Sequence, residues 1–520
     1  MKGSIKFAVL LLLPCAFAQT TSAPVMTGRA AARFLDQATW GPTPASIAQL
    51  EQTGIANWLA AQFALNTSDL PDQPILDSTG KSNNNLAPVQ LAFFQNAVTG
   101  QDQLRQRVAF ALSEILVVSA VSTKPAYAFP PYWRLFRDNA FANYRDVLKA
   151  ITLSPAMGNY LSMVNNNKAN ASKGTAANEN YSRELMQLFT LGLVQLNPDG
   201  SPVLDTNNNP VPTYDQSVVT SQAKAFTGWT YPTAPSATAK TNNPAYYLGP
   251  MFAVEAEHDT TSKSIVSGIA IPAGQTAEQD LESVLDALMA QKTMAPFVSR
   301  QLILHLVTSN PSPAYIQRVS NVFLNDGTGT RGNLQAVITA ILTDPEARAS
   351  DDPSAAANAS FGHMREPVLF MANLLRGLNA TLGASSAPYN DATLMGQELF
   401  YSPTVFSYFS PLYTLESGLT APEFGIYSTQ TAAERADIVN AALYGKLDAS
   451  TTLDLTPFEQ YKNNLSGLVQ YISYAFLHSG MSTGLAQAAT SAASAVTTPA
   501  AQAEAALYLV LTSSEYQVMQ

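Results

Sequence analysis

The sequence is short of reactive side chains. It has one cysteine, Cys15, and four histidines in 520 residues, and only 13% of the residues are charged. A chain with one thiol forms no intramolecular disulfide, so its core must stabilise it unaided. The histidines, His258, His305, His363 and His478, are dispersed along the chain and suggest no cluster. No glycine-rich phosphate loop and no Gly-x-Ser-x-Gly elbow occurs, which removes the commonest signatures of nucleotide-binding proteins and serine hydrolases. Beyond the N-terminus no apolar run is long enough to span a bilayer. The net charge of −10 on a lightly charged chain argues against nucleic acid and anionic membrane surfaces as partners.

The N-terminus carries the clearest positive signal. MKGSIKFAVLLLLPCAFAQT places Lys2 and Lys6 before an apolar run, Phe7–Leu13, and a small-x-small site, Ala16-Phe17-Ala18. This is the order of a secretory leader, with cleavage expected after Ala18. A lipoprotein alternative exists at Cys15, but Pro14 stands where a lipobox needs a small residue. Cleavage would remove the only cysteine and lower the net charge by two. The expected organisation is a leader over residues 1–18, a short lead over 19–27 and a helical domain over 28–520.

From Gly28 onward the apolar residues recur at helical spacing. Representative stretches are Ala31–Ala38, Ile47–Leu65, Leu104–Val118, Tyr181–Leu193, Pro296–Val307, Pro367–Leu378, Phe458–Phe476 and Ala503–Leu511. Gly54, Gly192, Gly228 and Gly377 follow periodic runs, as helix stops do. Strand alternation is scarce. One hairpin is expected at Gln195–Tyr214, with turns at Asn197–Gly200 and Asn207–Pro210, and a second short pair flanking His258. Gly480–Gln502, rich in Ala, Ser and Thr, reads as a weak helix or a linker. The predicted fold is mainly α, a large multi-helical domain with one or two small β-hairpin insertions.

Two stretches carry the candidate chemistry. NENYSRELMQLFTLG, residues 178–192, opens with a capping residue, Asn178, and a first-turn carboxylate, Glu179, that suits the helix dipole. On a wheel of 100° per residue, Glu184 falls between Leu188 and Leu191 on the edge of the apolar face. It is expected to lie inside the protein beside a cation, with Arg107 the first choice. VAFALSEILVV, residues 108–118, is apolar apart from Ser113 and Glu114, so Glu114 is expected to be buried too. The functional reading is a polar pocket of Glu114, Glu184, Arg107 and Asn180, where neighbouring carboxylates in low dielectric separate their pKa values. The structural alternative is a buried ion-pair network. His258 and Asp259 could form a base with its orienter, or simply a polar turn. Asp205-x-Asn207-x-Asn209 imitates the start of a calcium loop, but Pro210 stands where the loop needs glycine. No metal and no cofactor is expected.

A resemblance covers most of the chain. RAAARFLDQATWGPTPASIAQLEQTGIANWLAAQF, QLRQRVAFALSEIL, NENYSRELMQLFTLGL, AKAFTGWTY, HDTTSK, REPVLFMANLLRGL and LTSSEYQ occur in an order that resembles the bacterial family called domain of unknown function 1800. The resemblance implies a mainly helical, exported protein without an established reaction. It also implies a possible partner, an exported sulfatase-like protein (domain of unknown function 1501) often encoded beside members of the family. The oligomeric state stays open. Resembling sequences carry Trp-His-x-His where this chain has Leu112-Ser113-Glu114-Ile115, and a histidine where it has Phe189. Two function classes follow: a partner-binding or scaffolding protein, favoured here, and an exported hydrolase-like enzyme acting on a polymer or glycan through Glu114 and Glu184. Intact-mass analysis of exported protein is expected to give a chain starting at Gln19; a species retaining Cys15 with added lipid mass would show the lipoprotein alternative to be right.

Overall fold

The computed structural model describes residues 26–520 except 353, 355–357, 359 and 463, so the leader expectation and Cys15 lie outside the described residues. The architecture is mainly α, and the sheets are four antiparallel pairs of two-residue strands. Three helices form the centre. In Gln103–Ile115 every residue but Ser113 is buried, and in Pro367–Gly377 every residue is. The first helix, Gly28–Ala38, is buried from Ala30 onward. It packs against Pro44–Ala64, Gln103–Ile115 and Leu465–Leu477, so the two ends of the described chain meet around one core.

Helix starts follow local chemistry. Thr43, Thr276 and Ser428 each close a capping box with the residue three positions on, satisfying amide groups that the helix itself leaves free. Most stops also follow. Gly54, expected as a stop, instead bends one long helix: its φ of 72° breaks the helical path inside Pro44–Ala64. The expected Phe458–Phe476 helix divides into Thr456–Glu459 and Leu465–Leu477. The Ala-rich segment resolves as the helix Thr483–Ser494, held by packing against its neighbour Pro499–Leu511.

The Gln195–Tyr214 hairpin is present as a meander of isolated bridges, Val194 to Pro212, Leu196 to Pro202 and Leu204 to Pro210. The prolines explain why no full strand forms, since each lacks the N–H that a ladder needs. Asp205 Oδ1 accepts the Asn207 and Asn209 amides at 2.7 and 2.9 Å, so the calcium-like run is a turn. Strand pairs stand on both sides of His258: Trp229–Thr230 with Phe252–Ala253, and Lys263–Ser264 with Ala270–Ile271.

The segment that raised Glu184 departs from ideal helix geometry. Asn180–Glu184 is α-helical, but Leu185–Thr190 is a π-helix. The Leu191 amide reaches back five residues to the Met186 carbonyl, and Thr190 Oγ1 to that of Leu185. A wheel drawn at 100° per residue loses its phase there. Glu184 is only half-buried and forms no ion pair or hydrogen bond among the described residues. The expected Arg107 partner belongs to a different cluster, so that pairing is corrected. Burial raises the Glu184 pKa, and Arg183 opposes the rise. Glu179 does sit half-exposed at the helix start, bonded to Thr220, Gln216 and Arg183. Glu184→Gln is therefore expected to stay within about 1 kcal/mol of the parent in urea unfolding, as at a site with no partner to lose. A loss of about 3 kcal/mol would reveal a stranded cation.

Candidate functional site

Arg107 and Glu114 stand seven residues apart on one helix, two turns along the same face. Both are buried, Arg107 at 0% and Glu114 at 6% exposure. What surrounds them comes from distant parts of the chain. Glu366 occupies the cap position of Pro367–Gly377, at the positive end of that helix. His305 lies on the last turn of Met294–Leu306, His363 on a short strand, and Glu423 on the 3-10 turn Pro422–Ile426.

Gln397 organises the carboxyl groups. Its Oε1 accepts the Val368 amide at 2.8 Å, which fixes the orientation of the side-chain amide. Its Nε2 then donates to Glu114 Oε1 at 3.1 Å and to Glu366 Oε2 at 2.5 Å. The two carboxyl groups share that one donor, so they stand close together in a low-dielectric core, where each disfavours the other's charge. Burial moves Glu114 up to about 7, opposed by the Glu366 carboxyl beside it and by Arg107. Burial, then the Glu114 charge, raises Glu366 well above the carboxylate range. Both members of the pair are therefore shifted toward the neutral form, and they titrate as a coupled pair.

The remaining groups are incompletely paired. His305 Nδ1 stands 3.3 Å from Glu114 Oε2 but is not aligned to bond it, so that oxygen has no hydrogen-bond partner. Burial lowers the His305 pKa, so the ring is kept neutral. His363 Nδ1 lies 3.1 Å from Glu423 Oε1, while Glu423 Oε2 is unpartnered. Arg107 donates to the His305 carbonyl and lies 6.0 Å from the Trp40 ring centroid, but forms no ion pair among the described residues.

Glu114 and Glu423 line one cavity of about 40 Å³, closed over by Val405, Phe406, Ser407 and Phe409. That space holds about three water molecules. Glu114 also borders a second cavity of about 30 Å³ beside Ser113 and Tyr132. A buried carboxylate beside such a space can take a proton from water or give one to a reacting group.

Of the expected site residues, the structure brings Glu114 and Arg107 together and leaves the others elsewhere. Asn180 is exposed and Glu184 stands apart in the segment described above. His258 is sealed at 0% exposure, with Nδ1 donating to the Thr227 carbonyl at 2.9 Å and Nε2 3.0 Å from Asp280 Oδ2. Lys263 Nζ completes that group, 2.6 Å from the same oxygen. Asp259 does not orient His258; its Oδ1 accepts from the Thr261 amide and hydroxyl in a turn. His258 is thus a brace between a loop and the helix Ala277–Ala290. Glu366, Glu423, Gln397, His305 and His363 went unnoticed as members of a site. Glu366 alone left a trace in sequence, as a carboxylate immediately before the apolar stretch Pro367–Ala372. Among the described residues no three histidine, aspartate or glutamate side chains are arranged to hold a metal ion. No helix among them is long and apolar enough to cross a membrane.

The class defined by this geometry is a multi-helical protein with a carboxyl–histidine cluster buried in its core. The chain belongs to the family described as protein of unknown function (DUF1800), whose pattern matches residues 33–518. No curated protein and no solved structure matches it.

The raised carboxyl pKa values couple to stability. A group whose pKa is higher folded than unfolded stabilises the fold fully below its ordinary value, and that contribution fades as pH rises through the folded value. For Glu114 the window runs from 4.5 to about 7. His305 and His478, both lowered by burial, act in the opposite sense, so the comparison must be differential. Glu114→Gln is expected to gain stability relative to the parent as pH rises from 5 to 8 in urea unfolding. Parallel profiles would mean that Glu114 titrates normally.

Proposed function

We propose that Glu114 is the base of an acid–base site in an exported hydrolase-like enzyme, with Glu366 beside it and Glu423 across the cavity. One observation carries this reading: the buried Glu114 Oε2 has no hydrogen-bond partner, and the same side chain lines a mostly apolar cavity of about 40 Å³. A carboxylate needed only for structure is expected to have its lone pairs satisfied. A pKa near neutrality suits a base that works at ordinary pH. Glu114 and Glu366 are too close to flank a glycosidic bond in the usual way, because such carboxyl groups stand about 5–9.5 Å apart. Glu114 and Glu423, on the walls of one cavity, are the pair that could flank a scissile bond. The cavity holds only about three water molecules, so a polymer or glycan would have to present one bond past Leu188, Leu304 and Phe406. Ser113 and Ile115, where resembling sequences carry histidine, border these two cavities.

The partner-binding reading has its own support. Phe406, Leu412, Tyr413 and Tyr427 are exposed on the segment that closes the cavity, Leu412 by 72%. Apolar side chains gathered near one opening suit a protein partner, such as the sulfatase-like protein implied by the resemblance. The two readings separate in one experiment. Wild-type protein and Glu114→Gln are incubated with panels of polymeric esters, amides and glycans, and products are read by mass spectrometry. The enzyme reading expects cleavage that falls at least about 100-fold in Glu114→Gln, the order of a lost general base, with the fold intact by circular dichroism. Cleavage unaffected by the substitution, or none on any panel, favours the partner reading.

A further inference from the structure

A polar cavity lies where the first helix meets the last part of the chain. Arg29 and Arg33 stand one turn apart on Gly28–Ala38, Arg365 precedes Pro367–Gly377, and His478 ends Leu465–Leu477. All four line a cavity of about 270 Å³, with Phe476 on one wall. It shares no residue with the Glu114 cavity.

The carboxylates around this cavity are already engaged. Asp36 accepts from Arg365 at 2.5 Å and from Asn373 at 3.0 Å. Glu515 accepts from the Ser482 amide and hydroxyl at 2.9 and 2.5 Å. Asp351 pairs with Arg33 and stands 3.5 Å from Arg348. The guanidinium groups are not so fully engaged. Arg29 donates only to the carbonyls of Ser350 and His478, at 3.0 and 3.4 Å, and forms no ion pair among the described residues. Arg33 is 1% exposed, yet its Nε and Nη2 have no acceptor. Two free donors on a buried guanidinium are costly until an acceptor arrives. Nε and one terminal nitrogen are the edge by which arginine grips an oxyanion through two parallel bonds.

We propose that this cavity binds an oxyanion group, a sulfate, phosphate or carboxylate carried by a small ligand, held by Arg29, which has no ion pair among the described residues, with the incompletely bonded Arg33 guanidinium beside it. Phe476 offers an apolar wall to the organic body of such a ligand. The test uses the folded full chain with inorganic sulfate, inorganic phosphate and acetate, and one sulfated and one phosphorylated monosaccharide, at constant ionic strength maintained with chloride. Isothermal titration is expected to show one saturable site for at least one of these anions. Tighter binding of a monosaccharide ester than of its inorganic anion would show that an organic ligand is the natural source; equal binding would point to the free anion. Arg29→Gln, a substitution at a half-buried helix start, is expected to weaken binding at least tenfold without loss of fold. Arg33→Gln is expected to abolish binding; should it fail to fold, Arg29→Gln still decides. Glu114→Gln should bind like the parent. Absence of any response beyond that of chloride, or equal binding by Arg29→Gln, overturns the proposal.

Discussion

Arg107 is fully buried and forms no ion pair among the described residues, and much of the core around it offsets the cost of that burial. A charged group in low dielectric is tolerable only if opposite charge stands near and its donors find acceptors. The His305 carbonyl takes one donor, and the surrounding carboxyl groups of Glu366, Glu114 and Glu423 oppose the cost of burying the cation. These groups come from four separate elements, so the cluster ties together the N-terminal, middle and C-terminal parts of a chain that has no disulfide among its described residues. Gln397 completes the arrangement, bonding two carboxyl groups and a helix-start amide at once.

Three carboxyl groups beside one guanidinium exceed what a single positive charge can balance. The excess is absorbed by protonation: Glu366 is held neutral and Glu114 is brought near neutrality. A network built only for stability would tend to replace such groups with apolar residues of similar volume, since buried ion pairs contribute little net stability. Glu114 Oε2 and Glu423 Oε2 are left without hydrogen-bond partners, and both side chains line a small cavity. The His258–Asp280–Lys263 group makes the contrast. It is sealed at every member, and it ties one loop to one helix. Position relative to a cavity, more than burial, separates the two kinds of buried polar group in this molecule.

The sequence by itself determined the helical class, because apolar residues repeating at helical spacing can form a core in few other ways. It also determined the turns of the 194–212 meander, through Asn, Asp, Gly and Pro at positions that only turns accept. It marked Glu114 as buried, since Val108–Val118 is apolar apart from Ser113 and Glu114 itself, and it named Arg107 as a member of the same pocket. Tertiary structure decided the rest. Nothing local distinguishes Glu423, His305 or His363 from solvent-facing residues, and their convergence with Glu366 depends on helix packing between positions up to about 300 residues apart in sequence. Glu184 misled for a related reason: a π-turn shifts the phase of the helix, and its hydrogen bonds form only where the surrounding packing favours them over α geometry. Residue spacing can report which side of a helix faces inward, but which charges meet there is set by how the helices pack.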